Sequence, residues 1–400
     1  MRAAGRLLAL ACVAALLAAG CDALTTGSPD PGDVFDSPLD GLTRAELAAF
    51  AEGDRQFARP FAPNEGLGPI FNNVSCAACH SGDGRGRLQN ALTRFSRGSD
   101  PALDVGGPQL QEKAIAGAEP ERLPSAVDVS VRLPPPVFGA GLIEAIPDTV
   151  ILAYADSADT DGDGISGRPN WVTAPDFVPA TEPGGGPGTH LGRFSRKAQV
   201  ASIMHQVVGA YHQDMGITSD FIPVENQNPR ASRGTESADR VGDPEIPAGT
   251  VRSVINYLRM LAPPAGGPDD PRGAALFDSL RCARCHVPEL RTGPSTIAAL
   301  ADRPVPLYSD LLVHDMGPEL ADNRPDGGAG GSEWRTAPLW GLRLMRRFLN
   351  GDAFLLHDGR AGTVEQAVLL HGGEAQASRD GFAALAASDR AALLRFVESR

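Results

Sequence analysis

The chain carries the pattern Cys-x-x-Cys-His twice, at residues 76–80 and 282–286. The paired thiols can form thioether bonds to the vinyl groups of a haem, and the histidine that follows can bind its iron. A zinc site or a thioredoxin-like site would also use paired cysteines, but zinc gives no reason for a histidine directly after each pair. We therefore predict two covalently bound haem c groups. The predicted attachment and iron-binding residues are Cys76, Cys79, His80, Cys282, Cys285 and His286.

The N-terminus has the features of an export signal. Arg2 and Arg6 precede an apolar run at residues 7–17, which is too short to cross a bilayer as a helix. Small residues then lead to Cys21, as in lipoprotein processing sites. We predict a signal peptide at residues 1–20 and a periplasmic lipoprotein that contacts the membrane only through a lipid anchor at Cys21. The alternative is ordinary cleavage to a soluble periplasmic protein.

Composition limits the class of protein. The 400 residues have a formal net charge of −13, which argues against nucleic acid or an anionic membrane surface as a partner. Residues 21–40 are rich in glycine, proline and small polar residues, and predict a flexible tether. A Pro/Gly-rich hinge at 262–268 divides the remainder, so we predict haem domains at 41–262 and 269–400.

The two predicted domains share a layout. An apolar helical stretch precedes each motif, and the first opens with a capping box from Thr43 to Glu46. An amphipathic helix closes each unit, at Val251–Leu261 and after a candidate N-cap at Ser388. The fold class we predict is mostly α, with two cytochrome-c-like domains. The first domain carries a long, irregular, Pro/Gly-rich insertion at about 100–240.

The remaining histidines are candidates for the second iron ligand at each haem. A capping box at residues 363–366 starts a helix that ends at Gly372, and His371 falls on its apolar face. We predict His371 as the sixth ligand of the second haem. Two alternatives are that Met316 takes this place, or that His371 is a hydrogen-bonded core histidine. His314 is also close to the second motif, and His357 is expected to form a hydrogen bond near a haem edge.

The first haem has several candidate second ligands. His205 lies in a packed stretch with Met204, and Met215 follows nearby. We favour His205 as the ligand, and leave both methionines as alternatives.

Two further segments have polar groups that could support chemistry. Asp159, Asp161 and Asp163 alternate with small residues and resemble the first half of a calcium loop, although Asn170 replaces the glutamate that would complete an EF-hand. The alternative is a solvated acidic turn. Glu144 is the single carboxylate of an apolar loop, where a raised pKa would let it transfer protons. The alternatives for Glu144 are a helix cap or an ion pair with an arginine.

Longer segments resemble the bacterial di-haem oxidoreductases of the peroxidase type, which are also labelled thiol oxidoreductases and are distantly related to di-haem cytochrome c peroxidases. They include DGDGISGR at 161–168, LHDGR at 356–360 and HGGEA at 371–375. Other matching segments lie at 135–147, 214–218, 314–317 and 333–336. The resemblance implies that His371 occupies the ligand position opposite His286, and that Glu144 takes the place of the catalytic glutamate. The thiol label gains no support, because the motifs use the cysteines outside the N-terminal segment.

Two functions remain open at this point. In the first, hydrogen peroxide is reduced at the first haem, Glu144 transfers a proton, and the second haem relays electrons from a periplasmic donor. In the second, both irons have six ligands and the protein only transfers electrons. Three tryptophans are candidates to lie between the haems: Trp171, Trp334 and Trp340.

Overall fold

The computed structural model describes residues 30–80, 82, 84–232 and 238–400. The predicted signal peptide and the lipidation at Cys21 lie outside the described residues. Within the described part of the chain, no helix is long and apolar enough to cross a membrane.

About 34% of the residues are helical and there is little sheet, which agrees with the predicted mostly α class. The helices are α1 Arg44–Ala58, α2 Cys76–Cys79, α3 Ala140–Glu144, α4 Asp148–Leu152, α5 Ile203–Asp214, α6 Ala248–Met260, α7 Pro271–Ser279, α8 Leu342–Phe348, α9 Val364–Leu370, α10 Gln376–Ala384 and α11 Ala387–Glu398. The strands are β1 Ile70–Phe71, β2 Leu92–Ser96, β3 Lys113–Ala114, β4 Asp128–Arg132, β5 Trp171–Thr173, β6 Thr189–Leu191, β7 Leu290–Arg291, β8 Pro304–Val305, β9 Val313–Asp315 and β10 Glu333–Arg335. They form antiparallel pairs: β1 with β3, β2 with β4, β5 with β6, β7 with β8, and β9 with β10.

The second half of the predicted tether is packed against the protein. Phe35 and Leu39 are buried, and the Leu39 amide donates a hydrogen bond to the Met260 carbonyl at 2.8 Å. These two apolar side chains lie in a stretch whose glycines and prolines suggested flexibility. Their burial holds residues 35–39 beside the end of α6, because exposing the two side chains would lose the free energy gained by removing apolar surface from water.

A close helix crossing positions the first motif. α1 packs on α6 at Gly53, where an added Cβ atom would lie 2.5 Å from Tyr257 Cβ. One turn later on α1, the Phe57 ring lies 5.4 Å from Tyr257 and 6.1 Å from His80. The crossing therefore presents an aromatic ring to the histidine of the first motif.

The second motif has the same arrangement. α7 packs on α11 at Gly273, where an added Cβ would lie 2.5 Å from Phe396 Cβ. The Phe277 ring lies 5.3 Å from Phe396 and 6.4 Å from His286. The closing helix begins at Ala387, one residue before the predicted cap at Ser388. Glycine, phenylalanine and histidine thus recur in the same arrangement in both halves of the chain, with Tyr257 as the helix partner in the first and Phe396 in the second.

We expect the Gly53→Ala variant to lose about 1–3 kcal/mol of unfolding free energy, because the methyl group has no room between α1 and α6. Urea unfolding followed by circular dichroism measures this change. The matched control is Gly249→Ala in α6, where an added Cβ meets no atom within 4 Å. There the better helix propensity of alanine should stabilise the protein by up to ~1 kcal/mol. Equal stability of the two variants would contradict the proposed crossing.

Two hydrophobic clusters form most of the interior. The larger contains residues from both predicted domains, for example Phe57 and Tyr257 from the first, and Val287 and Leu312 from the second. The smaller contains only residues after 269, including Phe396. The division into domains at 262–268 stays a prediction.

In the described part of the predicted insertion, α5 is 12 residues long and the other helices and strands have two to five residues.

Candidate haem sites

The first motif forms a single helical turn. Ser75 caps it, because its hydroxyl accepts a hydrogen bond from the Ala78 amide at 3.1 Å. The His80 amide donates to the Cys76 carbonyl at 2.9 Å, which closes the turn and sets the histidine beside the cysteines. The turn thus brings together the three side chains that a covalent haem requires.

The ring of His80 is prepared for metal binding. Its Nδ1 atom lies 2.9 Å from the Pro135 carbonyl oxygen. A carbonyl only accepts, so Nδ1 carries the proton and Nε2 keeps its lone pair. Burial lowers the pKa of His80 to about 4, so the ring is neutral at neutral pH. Metal-binding histidines are commonly oriented by such a bond.

The second motif repeats this geometry on a different local structure. Residues Cys282–Arg284 form a 3-10 turn, and the His286 amide donates to the Cys282 carbonyl at 2.9 Å. His286 Nδ1 lies 3.0 Å from the Tyr308 carbonyl oxygen, and burial lowers the pKa of this ring to about 4. Two unrelated backbone segments therefore hold the two motif histidines in the same tautomer.

A cavity opens beside the second motif, and His371 lines it together with Cys282, Cys285 and His286. His371 follows the last residue of α9, and its Nδ1 lies 2.6 Å from the Ala367 carbonyl, which leaves Nε2 with a lone pair. The apolar face of α9 also lines the cavity. The structure thus brings His286 and His371 to one cavity. Met316 lines it as well, so that alternative remains open.

His314 is held in a way that removes it from the ligand candidates. Its Nε2 lies 2.8 Å from Asp310 and its Nδ1 lies 2.7 Å from Glu374. Burial opposes its charged form, but the two carboxylates raise the pKa of His314 well above the usual value. A doubly protonated ring has no lone pair to offer a metal.

We expect Glu374→Gln to remove an acid-sensitive part of the stability. Burial opposes its charged form, but hydrogen bonds from His314 and Ser166 lower the pKa of Glu374 to about 2. A carboxyl group with a lowered pKa stabilises the fold above its unfolded pKa, and this contribution is lost as the pH falls from 4.5 to 2. The contribution is about 3 kcal/mol. Urea unfolding at pH 6, 4 and 3 measures it, with Glu365→Gln, a half-buried glutamate 3.8 Å from Arg390, as the control. If the two variants have parallel pH profiles, the carboxylate–histidine pair does not stabilise the fold.

Two other predicted histidines are placed differently from each other. His205, on α5, packs edge-on against Phe177 at 6.2 Å between ring centres, and its Nδ1 is buried without a polar partner among the described residues. Its role as a ligand of the first iron stays a prediction.

His357 lines the second cavity and stacks on Trp334 with the ring centres 3.4 Å apart. Of the three tryptophans, Trp334 is the one that lines this cavity.

The geometry fits haem at both motifs, and a comparison with known families agrees. The family described as "Di-haem oxidoreductase, putative peroxidase" matches residues 15–96 and 111–400. The chain belongs to this family. Membership supports haem as the cofactor. Among solved structures, the chain is similar to Kuenenia stuttgartiensis hydrazine synthase pressurised with 20 bar xenon. Sequence identity is 12%, the match covers 94% of this chain and 97% of the other, and the TM-score is 0.38. No curated protein matches.

In this di-haem oxidoreductase the acidic turn differs from the predicted trio. The carboxylate oxygens of Asp159 and Asp161 lie within 4.8 Å of each other and of Asp156, which the sequence analysis did not include. Asp163 forms ion pairs with Arg281 at 2.6 Å and Arg284 at 3.4 Å, so it ties the turn to the second haem motif. Calcium binding stays a prediction.

Glu144 lies at the end of α3 with both carboxylate oxygens bonded. One accepts from the Ile203 amide at the start of α5 at 2.8 Å, and the other pairs with Arg259 at 2.7 Å. Arg193 holds the same turn by donating to the carbonyls of residues 143, 144 and 146. The contacts match the two structural alternatives, a helix cap and an arginine ion pair. A catalytic role for Glu144 stays a prediction.

The sequence did not indicate the arginines that line the second cavity, among them Arg85, Arg196 and Arg335. They come from separate segments. Arg335 lies in the matching segment 333–336, whereas Arg85 and Arg196 belong to no segment that the sequence singled out. The weak signal that was present is that Arg85 follows His80 by five residues.

Proposed function

We propose that the protein is an exported di-haem c-type oxidoreductase that reduces hydrogen peroxide, built from two cytochrome-c-like units. The observation that carries the proposal is the repeated geometry at the two motifs. In each, a Cys-x-x-Cys turn leads into a histidine whose Nδ1 donates to a backbone carbonyl at 2.9–3.0 Å. In each, a phenylalanine ring near the crossing of two helices lies against that histidine. A dithiol site needs neither feature. A zinc site shares the histidine hydrogen bond but does not need the phenylalanine ring at a helix crossing.

The residues divide the work between the two sites. Haem iron, when bound, supplies one-electron chemistry and the cleavage of the peroxide bond. His286 and His371 would hold the second iron from both sides, which suits an electron relay because no position is left for a substrate. At the first site His80 would hold the iron from one side, and the opposite position would be open to peroxide. Ligation of that iron by His205 would instead favour the alternative, a protein that only transfers electrons. His286 and His371 line the same cavity at the second motif.

Contacts between the two halves support electron transfer between the sites. Arg85 belongs to the segment that follows His80, yet it lines the cavity of the second motif. Trp334 lines the same cavity and stacks on His357, whose backbone carbonyl accepts from the Leu133 amide, two residues before Pro135. The chain that orients His80 is therefore bonded to the wall of the second site.

The overall reaction requires a donor that the chain does not contain. Each hydrogen peroxide takes up two electrons and two protons and gives two water molecules. A periplasmic electron donor, such as a small reduced cytochrome, would supply the electrons. We propose that the protein meets this donor in the periplasm, anchored through Cys21. Membrane fractionation of the Cys21→Ser variant tests the anchor, because release into the soluble fraction is expected.

Spectra and turnover of the intact protein, produced with a cytochrome maturation system, test the function. We expect electron paramagnetic resonance to show one high-spin and one low-spin haem, and expect peroxide to oxidise a reduced cytochrome or dye. The control is a variant with Cys76 and Cys79 replaced by alanine, which should keep the low-spin signal and lose turnover. Two low-spin haems without turnover would overturn the peroxidase proposal and support the alternative, a non-catalytic electron-transfer protein.

A further inference from the structure

Five arginines line the cavity between His286 and His371. Two of them, Arg281 and Arg379, are paired with Asp163 and Asp380. The other three form no ion pair among the described residues, and two of these three are nearly inaccessible to water. Arg85 is 5% exposed and Arg196 is 6% exposed. The third is Arg335, which follows the cavity-lining Trp334 on β10. The cavity wall therefore carries a concentration of positive charge that the second motif alone does not explain.

The arginines are oriented without being neutralised. Arg196 donates from Nε and Nη2 to the Leu133 carbonyl at 3.1 and 2.8 Å. Arg335 donates to the carbonyls of Ser195 and Thr336 at 2.9 and 3.1 Å. Carbonyl oxygens fix the direction of a guanidinium group but bring no negative charge.

Arg85 has even fewer partners. Its Nε and Nη2 atoms are buried and have no hydrogen-bond partner among the described residues. An unpaired buried donor costs about 1–3 kcal/mol, and more when the group is charged. A side chain in this state indicates that an acceptor belongs at this place.

The nearby carboxylates are already engaged. Asp358, which attracts both Arg85 and Arg196, is bonded to Arg360 at 2.7 Å. Asp310, which attracts Arg335, is bonded to His314. Arg132, which also lies near Arg196, is already paired with Asp322 and Asp326. Buried cations that repel each other without matched anions are strongly destabilising, so the cavity requires an anionic occupant.

We infer that Arg85, Arg196 and Arg335 form a receptor for the propionate carboxylates of the haem held between His286 and His371. Guanidinium groups bind carboxylates through two parallel hydrogen bonds, and the orphan Nε and Nη2 of Arg85 are the pair that such a contact uses. This inference rests on the proposed function, because it assumes a haem in the second cavity. It adds a role for the arginines: by neutralising the propionates, they favour the reduced iron and raise the potential of the second haem.

Two variants of Arg85 test the receptor. Arg85→Gln removes the charge. Arg85→Lys keeps the charge but cannot form two parallel hydrogen bonds to one carboxylate. We expect the midpoint potential of the second haem to fall in Arg85→Gln, and to fall less in Arg85→Lys. We also expect the propionate bending band in the resonance Raman spectrum to shift in both variants. The control is Arg94→Gln, a largely buried arginine outside the cavity that faces Asp326, and it should change neither measurement.

Other outcomes separate this inference from the proposed function. The intact mass of the wild-type protein first establishes that both haems are present. If the wild type lacks the second haem, the proposed function has failed. With both haems present, an unchanged potential and Raman band in Arg85→Gln would overturn the inference. A free anion such as phosphate is the other source of negative charge. If the potential of the wild-type protein, but not of Arg85→Gln, responds to added phosphate, the arginines bind an exchangeable anion and the propionate assignment is wrong.

Discussion

Replacing both Cys282 and Cys285 with alanine is expected to give a protein with one covalently bound haem instead of two. The two thiols lie in one short turn beside His286, so they can reach the two vinyl groups of one porphyrin. Intact-protein mass should fall by one haem relative to the wild type, beyond the change of the two side chains. The absorbance of the reduced haem per polypeptide should fall by half.

The reciprocal variant provides the matched control. Alanine at Cys76 and Cys79 should also leave one haem, and the haem retained should be the low-spin one at the second motif. If the wild-type polypeptide carries no haem after passage through a working maturation system, the two-haem proposal is wrong. If either double variant keeps both haems, the cysteines do not form the attachment.

Local sequence patterns predicted the parts of the structure that local contacts decide. The capping box at Thr43 forms both of its hydrogen bonds with Glu46. The helix before His371 begins at Val364, directly after its N-cap Thr363, and its apolar face lines the second cavity. It ends at Leu370, two residues before the predicted end at Gly372. These features depend on residues three or four apart in one helix, so a single sequence contains the information.

Contacts between distant segments were not predictable in the same way. Asp163 looked like a calcium ligand beside Asp161, but the fold places it against Arg281, 118 residues later. His314 looked like a free ligand candidate until Asp310 and Glu374 enclosed it. Which carboxylate meets which cation depends on how the irregular loops pack, and no periodic pattern encodes this.

The buried arginines show why charge counts alone mislead. The net charge of −13 describes a surface rich in acidic groups, whereas the second cavity is lined by cations. A composition average cannot reveal a local excess of the opposite sign. Burial makes that excess energetically important, because water cannot hydrogen-bond to the unpaired donors of Arg85 in place of a protein partner.

Replacing His371 should change the second haem more than any other substitution outside the motifs. His371→Ala removes the side chain opposite His286, so we expect the low-spin signal to become high-spin. His371→Met keeps a ligand at that position but exchanges imidazole for thioether, so we expect a low-spin haem with a higher midpoint potential. Axial ligands set haem potentials over a range of roughly 0.8 V, so the rise should be large compared with the error of a spectroelectrochemical titration.

Met316→Leu is the control that decides between the two candidate ligands, because Met316 lines the same cavity as His371. If His371 is the ligand, Met316→Leu should leave the spin state of the second haem unchanged and move its potential little. If Met316→Leu produces the high-spin signal while His371→Ala does not, Met316 is the ligand and His371 is a buried histidine bonded to the Ala367 carbonyl. A second haem that stays low-spin in both single variants but not in the double variant would mean that either residue can bind the iron, and a fixed assignment to His371 would be wrong.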